Sequence, residues 1–255
     1  MIRPLRLLLI GGIDSSHGAG LDADRDAARH FAADVEEYVS ADTEQDERGV
    51  QRVEPRPFWW FDAGYAIEDG IDALKIGLLP DLDAIEGAAQ LAGHARSAGF
   101  ELPVVIDTVI AASSGTRFWG SAEVALFRRL VLRTGPILTP NLPELAELTG
   151  GDLAELCARP ELRVEAARML LRLGARAVVV KGGHGDESPL LDLVVPMGED
   201  PTALARPRLP GGGIRGSGCR FATALACGLG RRVALADAAR AAGEFVAGRI
   251  HAAAP

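Results

Sequence analysis

Cysteine is scarce in this chain, basic clusters and long apolar runs are missing, and aromatics make up only 5% of it. Each shortage removes a class of protein. The three cysteines, Cys157, Cys219 and Cys227, are odd in number and have no metal-ligand spacing. They form neither a disulfide framework nor a zinc site, and they fit a reducing cytoplasm. No apolar stretch approaches the roughly 18 residues that a membrane-spanning helix needs. Leu7-Leu8-Leu9-Ile10 is too short for the core of a signal peptide. A cytoplasmic protein without a membrane partner is therefore expected. Acidic residues outnumber basic ones, 35 to 27, for a formal net charge of −8, and no Lys/Arg-rich block occurs. General nucleic-acid binding is not expected, although a small anion needs only local donors. The first glycine-bearing turn, residues 11–20, also lacks the G-x-G-x-x-G spacing of a dinucleotide site.

What the chain does have is enough apolar content, 48%, to bury a large core, and a regular alternation of strand and helix signals. Residues 5–11 read as a buried strand. A helix is expected over 18–35, where Leu21, Ala27, Ala28, Phe31 and Val35 recur at helical spacing. A second strand over 38–41 leads into a polar loop over 42–49. Phe58-Trp59-Trp60-Phe61 reads as core or subunit interface, and a homodimer is expected. Further strands are predicted at 73–76, 104–106, 137–138 and 177–180, with a terminal hairpin over 190–195 and 203–209. Helices are predicted at 82–98, 121–132 with Ser121 as N-cap, 164–173, 219–228 and 234–250. The pattern predicts one domain over residues 1–255, a doubly wound, mostly parallel α/β sheet with helices on both faces.

In such a sheet ligands lie beyond the carboxyl ends of the strands. Asp14, Gln45, Lys75, Asp107, Asn141, Glu144, Lys181 and Gly183 all fall where strands hand over to loops. The stretch Gly211-Gly212-Gly213-Ile214-Arg215-Gly216-Ser217-Gly218-Cys219 opens a helix and would share that rim. Free N–H groups and the helix dipole make such a start a seat for anionic oxygen. Cys219 in its first turn is expected to have a lowered pKa and to act as a base or nucleophile. Asn141 and Glu144 read either as an N-cap with a capping box or as holders of Mg2+, which favours oxygen ligands and keeps several waters. Lys181 reads either as a phosphate contact or as a solvated turn residue, and Asp107 as a turn residue or an acid near the metal.

Taken in order, these stretches resemble the ribokinase superfamily, and within it the hydroxymethylpyrimidine/phosphomethylpyrimidine kinases. Gly12-Ile13-Asp14-Ser15-Ser16-His17-Gly18-Ala19-Gly20 is similar to that family's G-S-D-P-S-G-G-A-G. Gln45 with Gly49-Val50 stands where the family has A-Q-N-T-x-G-V, and Asp72-Ala73-Leu74-Lys75-Ile76-Gly77 resembles D-A-V-K-I-G. Thr139-Pro140-Asn141-Leu142-Pro143-Glu144 is similar to T-P-N-x-x-E, Val180-Lys181-Gly182-Gly183-His184 to V-K-G-G-H, and Gly216-Ser217-Gly218-Cys219 to G-T-G-C. There are departures. Leu78 replaces a methionine and His17 a glycine. Arg215 replaces a histidine, and Glu44 and Asp46 flank Gln45. D-P-V-M-x-A-K-S-G becomes Asp107-Thr108-Val109-Ile110-Ala111-Ala112-Ser113-Ser114-Gly115. Most of these lie on the acceptor side.

The resemblance implies a three-layer α/β/α ribokinase-like domain without a large lid. It implies an ATP- and Mg2+-dependent kinase of the hydroxymethyl group of a pyrimidine or a similar heteroaromatic alcohol. Gly12, Asp14, Gln45 and Leu78 would bind the acceptor, with Gln45 reading ring nitrogens. Asn141, Lys181 and Gly183 would bind the nucleotide, and Glu144 and Asp107 the metal. Residues 216–219 would form the anion hole, with Cys219 as the base. A pyridoxal-type vitamin kinase and a catalytically silent pyrimidine-binding protein are the alternative readings.

Overall fold

The computed structural model describes residues 3–46, 49–57, 59–97, 102–112, 114–209 and 213–253, with the backbone alone for Asp46, Trp59 and Phe61. Ser113, Gly211, Gly212, Phe58 and the expected helix end at Ala98 lie outside the described residues. The first strand, β1 (Leu5–Asp14), is an alternating run. Leu8 and Ile10 face one apolar cluster, and Leu5, Leu7 and Leu9 face another. Both faces of the strand are therefore covered, as a central parallel strand requires. A fully buried leucine or isoleucine is worth roughly 2 kcal/mol, so such a strand anchors the core.

Parallel to β1 lie β2 (Ala33–Asp46) on one side and β4 (Ala73–Ile76) on the other. Beyond β4 follow β5 (Val104–Ile106), β6 (Ile137–Leu138) and β7 (Ala177–Val180), all parallel. The antiparallel strands β8 (Leu190–Pro196) and β9 (Thr202–Arg206) close that edge, and β3 (Gly49–Pro55) pairs antiparallel with β2 at the other. Among the described residues the sheet has nine strands in the order β3-β2-β1-β4-β5-β6-β7-β8-β9. The winding direction reverses between β1 and β4, which is where a ligand crevice opens in such a sheet.

One face is covered by α2 (Trp59–Glu68), α3 (Leu82–Ser97), α4 (Ser121–Leu130), α5 (Leu142–Thr149), α6 (Leu153–Ala158) and α7 (Pro160–Arg172). The other carries α1 (Gly20–His30), α8 (Ser217–Gly230) and α9 (Leu235–Ala253). The three-layer, mostly parallel arrangement is the one expected.

Several boundaries differ from the sequence reading, each for a local reason. The first helix ends at His30 because Ala32 turns the chain with a positive φ of 46°, and Val35 then pairs with Leu7 in the sheet. The polar segment 42–46 is strand rather than loop. Thr43 points inward while Asp42 and Glu44 face out, and Arg56 and Arg52 pair with them. A strand end with charged outward positions and a threonine inward carries no apolar periodicity to read. Gly120, not Ser121, is the N-cap of α4, its N–H donating to Glu123 at 2.8 Å, and the helix stops at Leu130 before a 3-10 turn at Leu132–Thr134. The helix placed at 164–173 starts at Pro160. In the aromatic cluster, Trp60 packs on the core against Gly87 of α3.

Candidate active site

The carboxyl ends of β1, β4, β5 and β7, the start of α5 and the start of α8 converge on one cavity of about 760 Å³. Gly12, Asp14, Gln45, Leu78, Asp107, Asn141, Glu144, Lys181, Gly183 and residues 216–219 all line it. These residues therefore reach a single pocket.

At the centre is the start of α8. Gly216 is its N-cap with a left-handed φ of 69°, and an added Cβ would lie 2.6 Å from the Gly18 carbonyl oxygen. Only glycine fits this turn without strain. Ser217 N–H donates to the Ile214 carbonyl, while the N–H groups of Gly218 and Cys219 have no backbone acceptor among the described residues. These are the donors of an anion seat. Gly218 faces the ion pair across the pocket: a Cβ there would lie 3.2 Å from both Asp107 Oδ2 and Lys181 Nζ.

Asp107 directly follows β5 and Lys181 directly follows β7. Lys181 Nζ donates to Asp107 Oδ1 at 2.8 Å, and Thr139 Oγ1 donates to the same oxygen at 3.1 Å. Burial opposes charge on both groups. Burial is the largest influence on each, yet Lys181, Lys75 and Thr139 together hold the Asp107 carboxyl low, and Asp107 with Glu144 holds the Lys181 ammonium high. The pair is charged. Lys181, its side chain 14% exposed, is thus a partly buried, ion-paired pocket residue and not a solvated turn lysine.

Asn141 and Glu144 form the full capping box of α5. Asn141 Oδ1 accepts from Glu144 N–H at 2.9 Å, and Glu144 Oε2 accepts from Asn141 N–H at 2.8 Å. Thr108, which stands where the resembling family has proline, donates to Glu144 Oε2 at 3.2 Å. Burial first, with Lys181 opposing and Asp107 reinforcing, pushes the Glu144 carboxyl up to about 7. Glu144 Oε1 and Asp107 Oδ2 accept no hydrogen bond among the described residues. Capping and metal holding are therefore compatible in one side chain. No group of three or more His, Cys, Asp or Glu suited to a metal exists among the described residues. Two free carboxylate oxygens fit an ion held mainly by water and phosphate oxygens, as Mg2+ is.

At the other end, Leu78 covers Gly12, where a Cβ would lie 2.9 Å from Leu78 Cδ2. Asp14 is buried and saturated. Its Oδ1 accepts from the Ser16 N–H and hydroxyl, and its Oδ2 from Ala19 N–H and from Arg215 Nη2 at 2.9 Å. Gln45 donates through Nε2 to Thr43 Oγ1 at 3.0 Å and accepts from Arg215 Nη2 at 2.5 Å. Its amide is held at both ends by the protein, which leaves one Nε2 hydrogen and one Oε1 lone pair uncommitted among the described residues.

The expectation for Cys219 also changes. The Gly20 N–H donates toward its sulfur and Lys75 lies near, both lowering its pKa, but burial together with Asp24 and Asp107 pushes the thiol up to about 11. In the unliganded pocket it is a thiol. Desolvation of the sulfur outweighs the positive helix terminus that favours the thiolate.

Beneath the site runs a group of which the sequence reading names only Lys75. Lys75, in the middle of β4, donates to Asp24 of α1 at 2.7 Å, and Thr223 of α8 donates to the other Asp24 oxygen at 2.8 Å; all three are fully buried. The pair ties the first helix and the anion-seat helix to the switch-point strand. Asp192 of β8 does the same on the far side, accepting from Gly182 N–H and bidentately from Arg206. A single charge inside an otherwise apolar strand is the sequence signal for both.

An α/β sheet whose switch-point cavity joins an anion-seating helix start, a lysine–aspartate pair and an N-x-x-E carboxylate defines a small-molecule phosphotransferase. Residues 14–255 match the phosphomethylpyrimidine kinase family, and the chain belongs to it. A hydroxymethylpyrimidine/phosphomethylpyrimidine kinase of Streptomyces coelicolor is 34% identical over 100% of this chain and 91% of that protein. One from Escherichia coli is 32% identical over 98% and 92%. Among solved structures, an ADP complex of Bacillus subtilis pyridoxal kinase aligns with a TM-score of 0.83 at 27% identity, covering 96% of this chain and 91% of that one.

Proposed function

We propose that this protein transfers the γ-phosphoryl group of ATP to the hydroxymethyl group of a hydroxymethylpyrimidine, and to its monophosphate, as part of thiamine biosynthesis. The observation that carries the reading is the face-to-face placement of the α8 anion seat and the Asp107–Lys181 pair, 3.2 Å from the position of a Gly218 Cβ. An acceptor ring has room between Leu78, Gly12 and the apolar segment around Val109 and Ile110. Transfer of a phosphoryl group is mostly positioning and charge stabilisation. The N–H groups of Gly218 and Cys219 receive charge on the equatorial oxygens. Lys181, released from sole pairing with Asp107, contacts the phosphates. Asn141 and Gly183 border the nucleotide. Glu144 and Asp107 offer free oxygens for Mg2+, which, when bound, neutralises phosphate charge.

Cys219 takes the proton when the acceptor is the alcohol. Its thiolate is the minor form at neutral pH, but a weaker acid is a stronger base, which offsets part of the loss. Gln45, held by Arg215 and Thr43, meets the ring with the remaining lone pair and N–H of its amide. A single domain is supported by the continuous sheet, and a homodimer by the exposed edge strand β3. Among the described residues no helix is long and apolar enough to cross a membrane, in keeping with a cytoplasmic enzyme.

The pyridoxal kinase likeness favours pyridoxal as a second acceptor to examine. ADP release from Mg-ATP with hydroxymethylpyrimidine, with pyridoxal and with no acceptor separates the readings. Pyrimidine-dependent turnover that falls about 10²–10⁴-fold in Cys219→Ala is expected for a lost general base. Acceptor-independent ATP loss, or none with either acceptor, contradicts the proposal.

A further inference from the structure

The acceptor end of the cavity contains a cation that the general reading of the site does not use. Arg215 immediately precedes the α8 N-cap. Its Nη2 reaches back across the pocket to Asp14 Oδ2 at 2.9 Å and Gln45 Oε1 at 2.5 Å, residues 201 and 170 positions away in the chain. Its stem lies along Gly18, and its carbonyl accepts from Arg220 Nη1 at 2.8 Å. The backbone is thereby pinned and the guanidinium aimed. Both of these hydrogen bonds to acceptor-end residues use Nη2. The N–H groups on Nε and Nη1 have no partner among the described residues, and the side chain is 39% exposed. A guanidinium edge facing a cavity is a fork for phosphate or carboxylate oxygens.

We propose that Arg215 determines acceptor preference, favouring a pyrimidine that already carries a phosphate over the neutral hydroxymethyl compound. This rests on the kinase reading above. The charges around the position support it. Asp14 is the carboxylate nearest Arg215, and its negative charge is spread over the Ser16 and Ala19 donors as well. The free edge of Arg215 therefore adds to the anion-attracting side of the pocket, beside the N–H groups of Gly218 and Cys219. The chemistry of the two acceptors supports it too. When the alcohol reacts, its oxygen bonds to the γ-phosphorus, the bond to the β–γ bridging oxygen breaks, ADP leaves, and the hydroxyl proton must go to a base. When the monophosphate reacts, a phosphate oxygen makes the new bond and ADP leaves in the same way. That group is largely a dianion at pH 7, its second pKa being about 6, so no proton has to be removed. A thiol held up at about 11 is a poor proton acceptor, and a guanidinium edge at the acceptor end adds attraction for a dianion, so the pocket suits the second case better than the first.

Steady-state ADP release with each acceptor, for wild type, Arg215→Gln, Arg215→His and Arg215→Lys at pH 8, tests this. His is mostly neutral at that pH. The expected result is a wild-type preference for the monophosphate. The ratio of the two kcat/KM values should fall about 10- to 100-fold in Arg215→Gln and Arg215→His, the worth of a charge-assisted hydrogen bond, through KM of the monophosphate. Arg215→Lys should restore most of it. An unchanged ratio, a wild-type preference for the alcohol, or equal loss for both acceptors in folded variants overturns the proposal. Absence of turnover with either acceptor defeats the kinase reading instead. Calorimetric binding of monophosphate and alcohol to the same proteins then decides the role of Arg215 alone, by the same ratio.

Discussion

Lys75→Met should cost about 4 kcal/mol of stability at pH 7 and about half of that at pH 5. The substitution keeps the volume of the side chain but leaves Asp24, fully buried, with Thr223 as its remaining hydrogen-bond donor. An unpaired buried charge costs about 3–5 kcal/mol. The variant can escape part of this by protonating Asp24, and that sets the scale. The ordinary aspartate value is 3.8, each pH unit above it costs about 1.4 kcal/mol, and the three-odd units to pH 7 amount to about 4 kcal/mol. The sign follows. Asp24 in the folded variant binds a proton that the unfolded chain releases above pH 4, so the variant gains stability as pH falls toward 4 and loses it as pH rises. Urea unfolding of wild type and variant at pH 5, 6 and 7 gives the difference at each pH. The double variant Lys75→Met/Asp24→Asn should lose the pH dependence. An equal deficit at pH 5 and 7, or a deficit below about 1 kcal/mol at pH 7, would refute the argument.

Alkylation of Cys219, followed by peptide mass spectrometry, should be slow at pH 7, where a thiol near 11 is about one part in 10⁴ thiolate, and should rise with pH beyond 9. A plateau below pH 8 would mean that the anion seat outweighs burial after all. Mg-nucleotide binding should weaken as pH falls below about 7, by up to tenfold per unit, because the Glu144 carboxyl then carries a proton that the ion must displace. Glu144→Gln should bind weakly at every pH, and a pH dependence surviving in it would point to another group. Gly216→Ala should lower kcat at least tenfold and lower the melting temperature, since it adds strain at a positive φ and presses a methyl on the Gly18 carbonyl. Activity within twofold of wild type would mean that the α8 start is not the phosphate seat.

The parts of the site that could be read from the chain were those set by local rules. Asn141 and Glu144 three residues apart, glycines before Cys219, and charged residues at the ends of apolar strands each follow from spacing, and the sheet topology then gathers them. What could not be read depended on the third dimension. Gln45 reads as loop because the end of β2 is polar at nearly every position, and its pairing with the edge strand β3 is visible only in the sheet. The raised Cys219 thiol follows first from desolvation and then from Asp24 and Asp107, which come from two distant stretches and outweigh Lys75. Arg215 looked like a simple departure from a motif. Its reach to Asp14 and Gln45 exists because α8 begins opposite the β1 and β2 ends. The Lys75–Asp24 pair is an intermediate case. A lysine inside the strand Ala73–Ile76 and an aspartate on the apolar side of Gly20–His30 could each have been noticed, but not matched.

The central claim is that the pocket phosphorylates a pyrimidine. It is met most directly by incubating the protein with Mg-ATP and equal amounts of hydroxymethylpyrimidine and pyridoxal in one vessel and identifying the products by mass spectrometry. The account expects the pyrimidine mono- and diphosphates in excess over pyridoxal phosphate. Pyridoxal phosphate as the main product, or unchanged acceptors beside an active control enzyme, would contradict it.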